Sequence, residues 1–131
     1  MTKRESKRLY RYMRDWQKLL LLGGWDVSLH LHERTDCPEE HCPAHMRFWL
    51  RQAQARVDVA EHAEQPVEEN IIHEMVHLVF APIHVILQRM KAHLAPDTYK
   101  LLMAQYEDEE ERAVTALTQA LRMLEERTGG Q

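Results

Sequence analysis

The hydrophobic period of this chain switches at Gly23-Gly24, and that switch limits the fold more than any other feature. Before the glycines, Leu9, Met13, Trp16 and Leu20 recur at helical spacing. This predicts a helix over residues 3–22 that the glycine pair stops. After them, Trp25, Val27, Leu29 and Leu31 alternate with polar residues, the period of a half-buried strand over residues 25–32. His30 and His32 then share the opposite face, read as a solvated sheet face. Residues 33–46 are polar and turn-rich and read as a loop, and residues 46–51 suit either type of element. Ala53, Ala55, Val57 and Val59 alternate again and predict a strand over residues 52–60. Helices follow over residues 67–80, ended by Pro82, then 83–94, then 96–127, the last opened by Pro96-Asp97. The expected architecture is α+β: an N-terminal helix, a small antiparallel or mixed sheet, a helix that carries the site, and a long C-terminal helix.

The 131 residues, without repeats or a low-complexity linker, suit a single domain over 1–131. With 44% hydrophobic and 29% charged residues the chain can bury a core, which argues against a disordered reading. The net charge of −4 argues against a whole-protein nucleic-acid binder. Lys3, Arg4, Lys7, Arg8, Arg11, Arg14 and Lys18 still put a basic stripe on the first helix. It reads as a solvated face, with weak nucleic-acid or acidic-partner contact as the sharper alternative. The longest apolar run, Leu19 to Leu22, is far short of the roughly 18 residues a membrane span needs. No secretory signal is legible and two cysteines make no disulfide framework, so a cytoplasmic location is expected.

Nine histidines stand out in a chain with two cysteines and two phenylalanines. Two of them lie in Ile71-Ile72-His73-Glu74-Met75-Val76-His77-Leu78-Val79, an H-E-x-x-H pattern inside the most apolar stretch. Residues four apart share a helical face, so His73 and His77 can offer two imidazoles to one Zn²⁺. Glu74 can then serve as general base toward a water that the metal acidifies. A shuffled chain of this composition yields only about 0.07 such patterns, and the apolar flanks strengthen the match.

A catalytic zinc takes three protein ligands and keeps one position open. The extended pattern with a third histidine would need glycine at Phe80 and histidine at Ile83, which excludes that class. The remaining source is the acid run Glu107-Asp108-Glu109-Glu110-Glu111 on the last helix. Val114, Leu117, Leu121 and Leu124 are expected to mark that helix's buried stripe, and Glu110 continues it. An acid on such a stripe is costly to bury without a cation. Glu110 is the chosen ligand, with Glu107 and Glu111 as alternates.

The apolar-flanked motif at 73–77, followed by Glu110-x-x-Ala113-Val114-x-Ala116-Leu117, resembles small zincins of the gluzincin type. It is similar to compact bacterial and phage-associated metallopeptidases of the repressor-cleaving, radiation-response group. The likeness covers roughly residues 20–125, and its specific part is the two helical segments. It implies a zincin-like fold, zinc held by His73, His77 and Glu110, and Glu74 as general base. In those relatives an asparagine often follows the small residue, whereas here Val114 stands there.

The expected function is therefore zinc-dependent hydrolysis of peptide bonds in a peptide or protein substrate. A non-catalytic zinc-binding scaffold is the alternative. Tyr106, four residues before Glu110, is the candidate donor to the developing oxyanion, with His84 and His93 behind it. The strand over 52–60 is the expected sheet edge for the substrate. Cys37, His41, Cys42 and His45 offer the side chains of a structural zinc site, but crowd four ligands into nine residues. A polar surface loop with free thiols is the simpler reading there, with a local disulfide as a further option.

Overall fold

The computed structural model describes residues 1–33 and 43–129. The elements are α1 (Lys3–Leu19), β1 (Asp26–His32), β2 (Ala44–Trp49), β3 (Gln54–Ala60), α2 (Val67–Val79), α3 (Ala81–Arg89), a 3₁₀ turn (Met90–His93) and α4 (Pro96–Gly129). This is the expected α+β class, with four α-helices and one three-stranded mixed sheet among the described residues. No single helix among them is long and apolar enough to cross a membrane. The chain forms two compact units, Met1–Val79 and Phe80–Gln131.

In the first unit, α1 opens with a reciprocal cap. The Glu5 N–H donates to Thr2 Oγ1 at 3.2 Å, and the Thr2 N–H donates to Glu5 Oε2 at 3.1 Å. The helix ends three residues earlier than the sequence suggests, and the glycines do not end it. Leu21 takes the left-handed position at φ 58°, while the Leu22 N–H reaches Gln17 O at 2.8 Å and the Leu21 N–H reaches Lys18 O at 3.1 Å. These are the two bonds of a Schellman cap. Gln17 Nε2 locks the exit by donating to Leu22 O at 3.0 Å and Trp25 O at 2.7 Å. With those carbonyls tied down, Leu21 is forced into the conformation that glycine usually supplies.

The sheet order is β1-β3-β2, with β1 parallel and β2 antiparallel to β3. This corrects the expectation that residues 52–60 form the edge: β3 is the central strand, and the edges are β1 and β2. The reason lies in its side chains. Ala55, Val57 and Val59 are buried against the helices, and Asp58 on the other face is buried too, so β3 needs a neighbour on each side. β2 takes the last residues of the expected loop and most of the segment 46–51 that suited either type, and Ala53, at φ 49°, lies in the turn between β2 and β3. α2 packs against α1, β2 and β3. Ile71, Ile72, Met75 and Leu78 are fully buried, as are Leu9 and Met13 of α1, Val27 of β1 and Val57 of β3.

In the second unit, Pro82 lies in the first turn of α3 and starts that helix, where a missing N–H costs nothing. The expected buried stripe of α4 is also redrawn. Met103, Val114 and Thr118 are buried, whereas Leu117 and Leu124 are 45% and 56% exposed. The half-buried positions Tyr106, Glu110 and Leu121 continue the line from Met103 through Val114, and Glu107 and Glu111 lie off it, exposed.

Candidate metal centre

The centre starts from the packing of α2. With Ile71, Ile72, Met75 and Leu78 committed to the core, the helix leaves a strip that carries His73 and His77, both half-buried. Their ring centroids are 4.9 Å apart, with the planes inclined by 71°. Glu74 shares that turn and is only 7% exposed. Two imidazoles one turn apart, each able to give a ring nitrogen, match the first two ligands of a zinc site. A buried carboxylate beside them matches the chemistry of a base that works out of bulk water.

One residue of this helix escaped the sequence reading. Asn70, one turn before Glu74, is 6% exposed, and its Nδ2 has no hydrogen-bond partner among the described residues. Buried amide donors are nearly always paired in native proteins. A polar residue four positions before the motif glutamate, directly ahead of the buried Ile71-Ile72 pair, was the available signal.

On α4, the Tyr106 hydroxyl donates to Glu110 Oε1 at 2.8 Å. Burial, then the hydrogen bond to Glu110 and its charge, hold the Tyr106 phenol above its ordinary pKa, so it keeps its proton as a donor. His84 lies against the Tyr106 ring at 5.8 Å between centroids, and its Nε2 is 3.1 Å from Gln88 Nε2. His93 is exposed at the end of the 3₁₀ turn. Of the five consecutive acids, Glu110 alone is half-buried rather than exposed.

A second polar cluster lies on the sheet face away from the helices, where a solvated surface was expected. Asp58, 2% exposed, accepts two bonds from Arg56 Nε at 3.1 Å and one from Arg56 Nη2 at 3.0 Å. His32 Nε2 is 2.7 Å from Asp58 Oδ1, and His45 Nε2 and Arg47 Nη2 are each 3.6 Å from Oδ2. Burial pushes the Asp58 carboxyl up, but the hydrogen bonds from Arg56 and His32, with the charges of Arg56 and His45, outweigh it and hold the pKa below the usual value. Two guanidiniums around one carboxylate make this a poor cation site and a good structural ion cluster. The register could have revealed it, because β1 places His30 opposite Asp58 and β2 places His45 opposite Asp58. Of the suggested Cys37–His41–Cys42–His45 group, only His45 lies within the described residues.

Compared with known proteins, the chain matches no family model, no curated protein and no solved structure.

Proposed function

We propose that this chain is a zinc-dependent peptidase of the zincin kind. The observation that carries the reading is the pair of half-buried imidazoles of His73 and His77, 4.9 Å apart on one turn with the buried Glu74. Glu110 is the preferred third ligand, with Glu107 and Glu111 as alternates. Its partial burial and its hydrogen bond from Tyr106 support it, because ligating carboxylates are commonly oriented by such a donor.

When bound, zinc supplies Lewis acidity toward a water and toward the peptide carbonyl. The remaining roles fall to the chain. His73 and His77 hold the ion, and Glu74 accepts a proton from the attacking water and returns it to the departing amine. The Tyr106 hydroxyl orients Glu110 in this reading, a supporting role in place of the oxyanion contact first expected of it. An extended peptide substrate would lie along β2, the edge strand that packs against α2.

The test is metal content by mass spectrometry for wild type, His73→Ala and Glu110→Ala, with peptide-library hydrolysis for wild type and Glu74→Gln. The expected result is one zinc per wild-type chain, loss of zinc in the first two variants, and retained zinc without hydrolysis in Glu74→Gln. Wild type that neither carries zinc nor takes it up would overturn the reading. Equal behaviour of wild type and Glu74→Gln on peptides, with zinc bound in both, would favour a non-catalytic zinc scaffold.

A further inference from the structure

We propose that the groove between α1 and the outer edge of β1 docks an extended acidic peptide from a partner protein. The inference goes beyond the zinc reading and shares no residue with it. The groove lies within the first unit, with Lys7, Tyr10 and Arg11 on one wall and Leu29 to His32 on the other. Among the described residues, no acidic side chain lines it. The basic surface continues along α1 through Lys3 and Arg4, while Arg8 is paired with Glu68 at 2.8 Å and Glu5 is taken up by the helix cap.

The strand wall supplies the second half of the recognition. Asp26 N–H donates to Ala53 O at 2.7 Å, and Glu61 N–H donates to His32 O at 2.7 Å. In a parallel ladder both peptide groups of a residue point to the same neighbour. Asp26, Ser28, His30 and His32 therefore turn theirs toward β3. Val27, Leu29 and Leu31 turn theirs outward, along the edge that borders the groove. No strand among the described residues pairs with that edge.

An edge with outward amides and carbonyls at every second residue accepts another peptide backbone, which a phosphodiester chain cannot imitate. The cations of the opposite wall select acidic side chains on that strand. A second copy of this chain fits poorly, because its own β1 edge would bring a second basic α1 to the same place.

The test uses the full chain and a labelled peptide of alternating glutamate and valine. A lysine–valine peptide and an oligothymidylate serve as controls. Anisotropy measures affinity, and NMR follows the amides of Val27, Leu29 and Leu31. The acidic peptide should bind in a salt-sensitive way, shift those three amides, and lose about tenfold or more in affinity in a Lys7→Glu, Arg11→Glu double variant. Both residues are exposed, so the variant leaves the core intact. Leu29→Pro removes one outward N–H without touching the bonds to β3, and should also weaken binding. Because these measurements need no metal, they are unaffected if the zinc reading fails. The proposal is overturned by equal or tighter binding of the oligonucleotide, by self-association in place of peptide binding, by no binding, or by peptide affinity unchanged in the double variant.

Discussion

Replacing Asp58 by asparagine keeps the size of the side chain and removes the charge that organises one face of the sheet. At stake are the bonds from Arg56 at 3.0–3.1 Å and the 2.7 Å contact with His32. Two charge-assisted interactions at about 1.5 kcal/mol each would put the cost near 3 kcal/mol. The Arg56 and His32 side chains are 34% and 30% exposed, however, so they regain water once the carboxylate is gone. That lowers the expected cost to about 2 kcal/mol. If the first unit, Met1–Val79, unfolds cooperatively, each kcal/mol moves its Tm by roughly 4–8 °C, for a total near 10 °C. The pH dependence follows from the direction of the shift. A carboxyl whose pKa is lowered by folding stabilises the protein above its unfolded pKa, and that contribution disappears as pH falls through the folded pKa. Wild type and Asp58→Asn should therefore differ fully at neutral pH and converge in acid, where both present a neutral group. Urea unfolding across a pH series measures the difference. A variant as stable as wild type at pH 7, or a difference that persists undiminished at the acid end, would refute the ionic account of this cluster.

Leu21→Gly should stabilise the first unit by up to about 1 kcal/mol, because Leu21 is 90% exposed and held at φ 58°, where glycine meets no Cβ penalty. Thermal melts check it, and a clear loss of stability would mean that the Leu21 side chain makes contacts worth more than the strain. Ile72→Ala removes a fully buried side chain between α2 and its neighbours and should cost about 2–5 kcal/mol in urea unfolding. Tyr106→Phe deletes the 2.8 Å bond to Glu110. If Glu110 is the zinc ligand, affinity measured by chelator competition should fall about 10–100-fold. Unchanged affinity moves the assignment to Glu107 or Glu111.

The parts of the fold legible in the sequence are those where one local rule acts alone. The amphipathic spacing of Leu9, Met13 and Trp16 locates α1, and the alternation of Val27, Leu29 and Leu31 locates β1. The errors lie where tertiary contacts override a local rule. Gly23 and Gly24 carry the residue type that usually ends a helix, yet the bonds of Gln17 to Leu22 and Trp25 accompany a chain reversal at Leu21, two residues before the first glycine. Pro82 is a breaker by type, but directly after α2 it becomes a starter. The alternation in residues 53–59 identifies a strand and says nothing about which neighbours it acquires. Its central place became visible only through the parallel ladder to β1 and the antiparallel ladder to β2.

The same distinction explains why the candidate residues of the two units differ in legibility. On α2, four fully buried apolar residues fix the rotation of the helix, and packing by α1, β2 and β3 leaves one strip for His73 and His77. The motif spacing then translates directly into a side-chain arrangement, because the core fixes the rotation of the helix that carries both imidazoles. If zinc binds there, its removal by a chelator should leave the far-UV circular dichroism of the chain unchanged, unlike a domain that zinc itself nucleates. On α4 the rotation is weakly encoded. Leu117 and Leu124 have the composition of a buried stripe but are exposed, while Thr118, a poorer core residue by type, is 2% exposed. A stripe drawn from leucines was thus misplaced by about one residue over the second half of the helix. Glu110 stays on the line because Val114, one turn later, is fully buried and belongs to both the expected and the observed stripe. The choice of Glu110 therefore depends on Val114 and on the hydroxyl of Tyr106, two anchors on either side of it on the same helix, and not on the leucines that first suggested it.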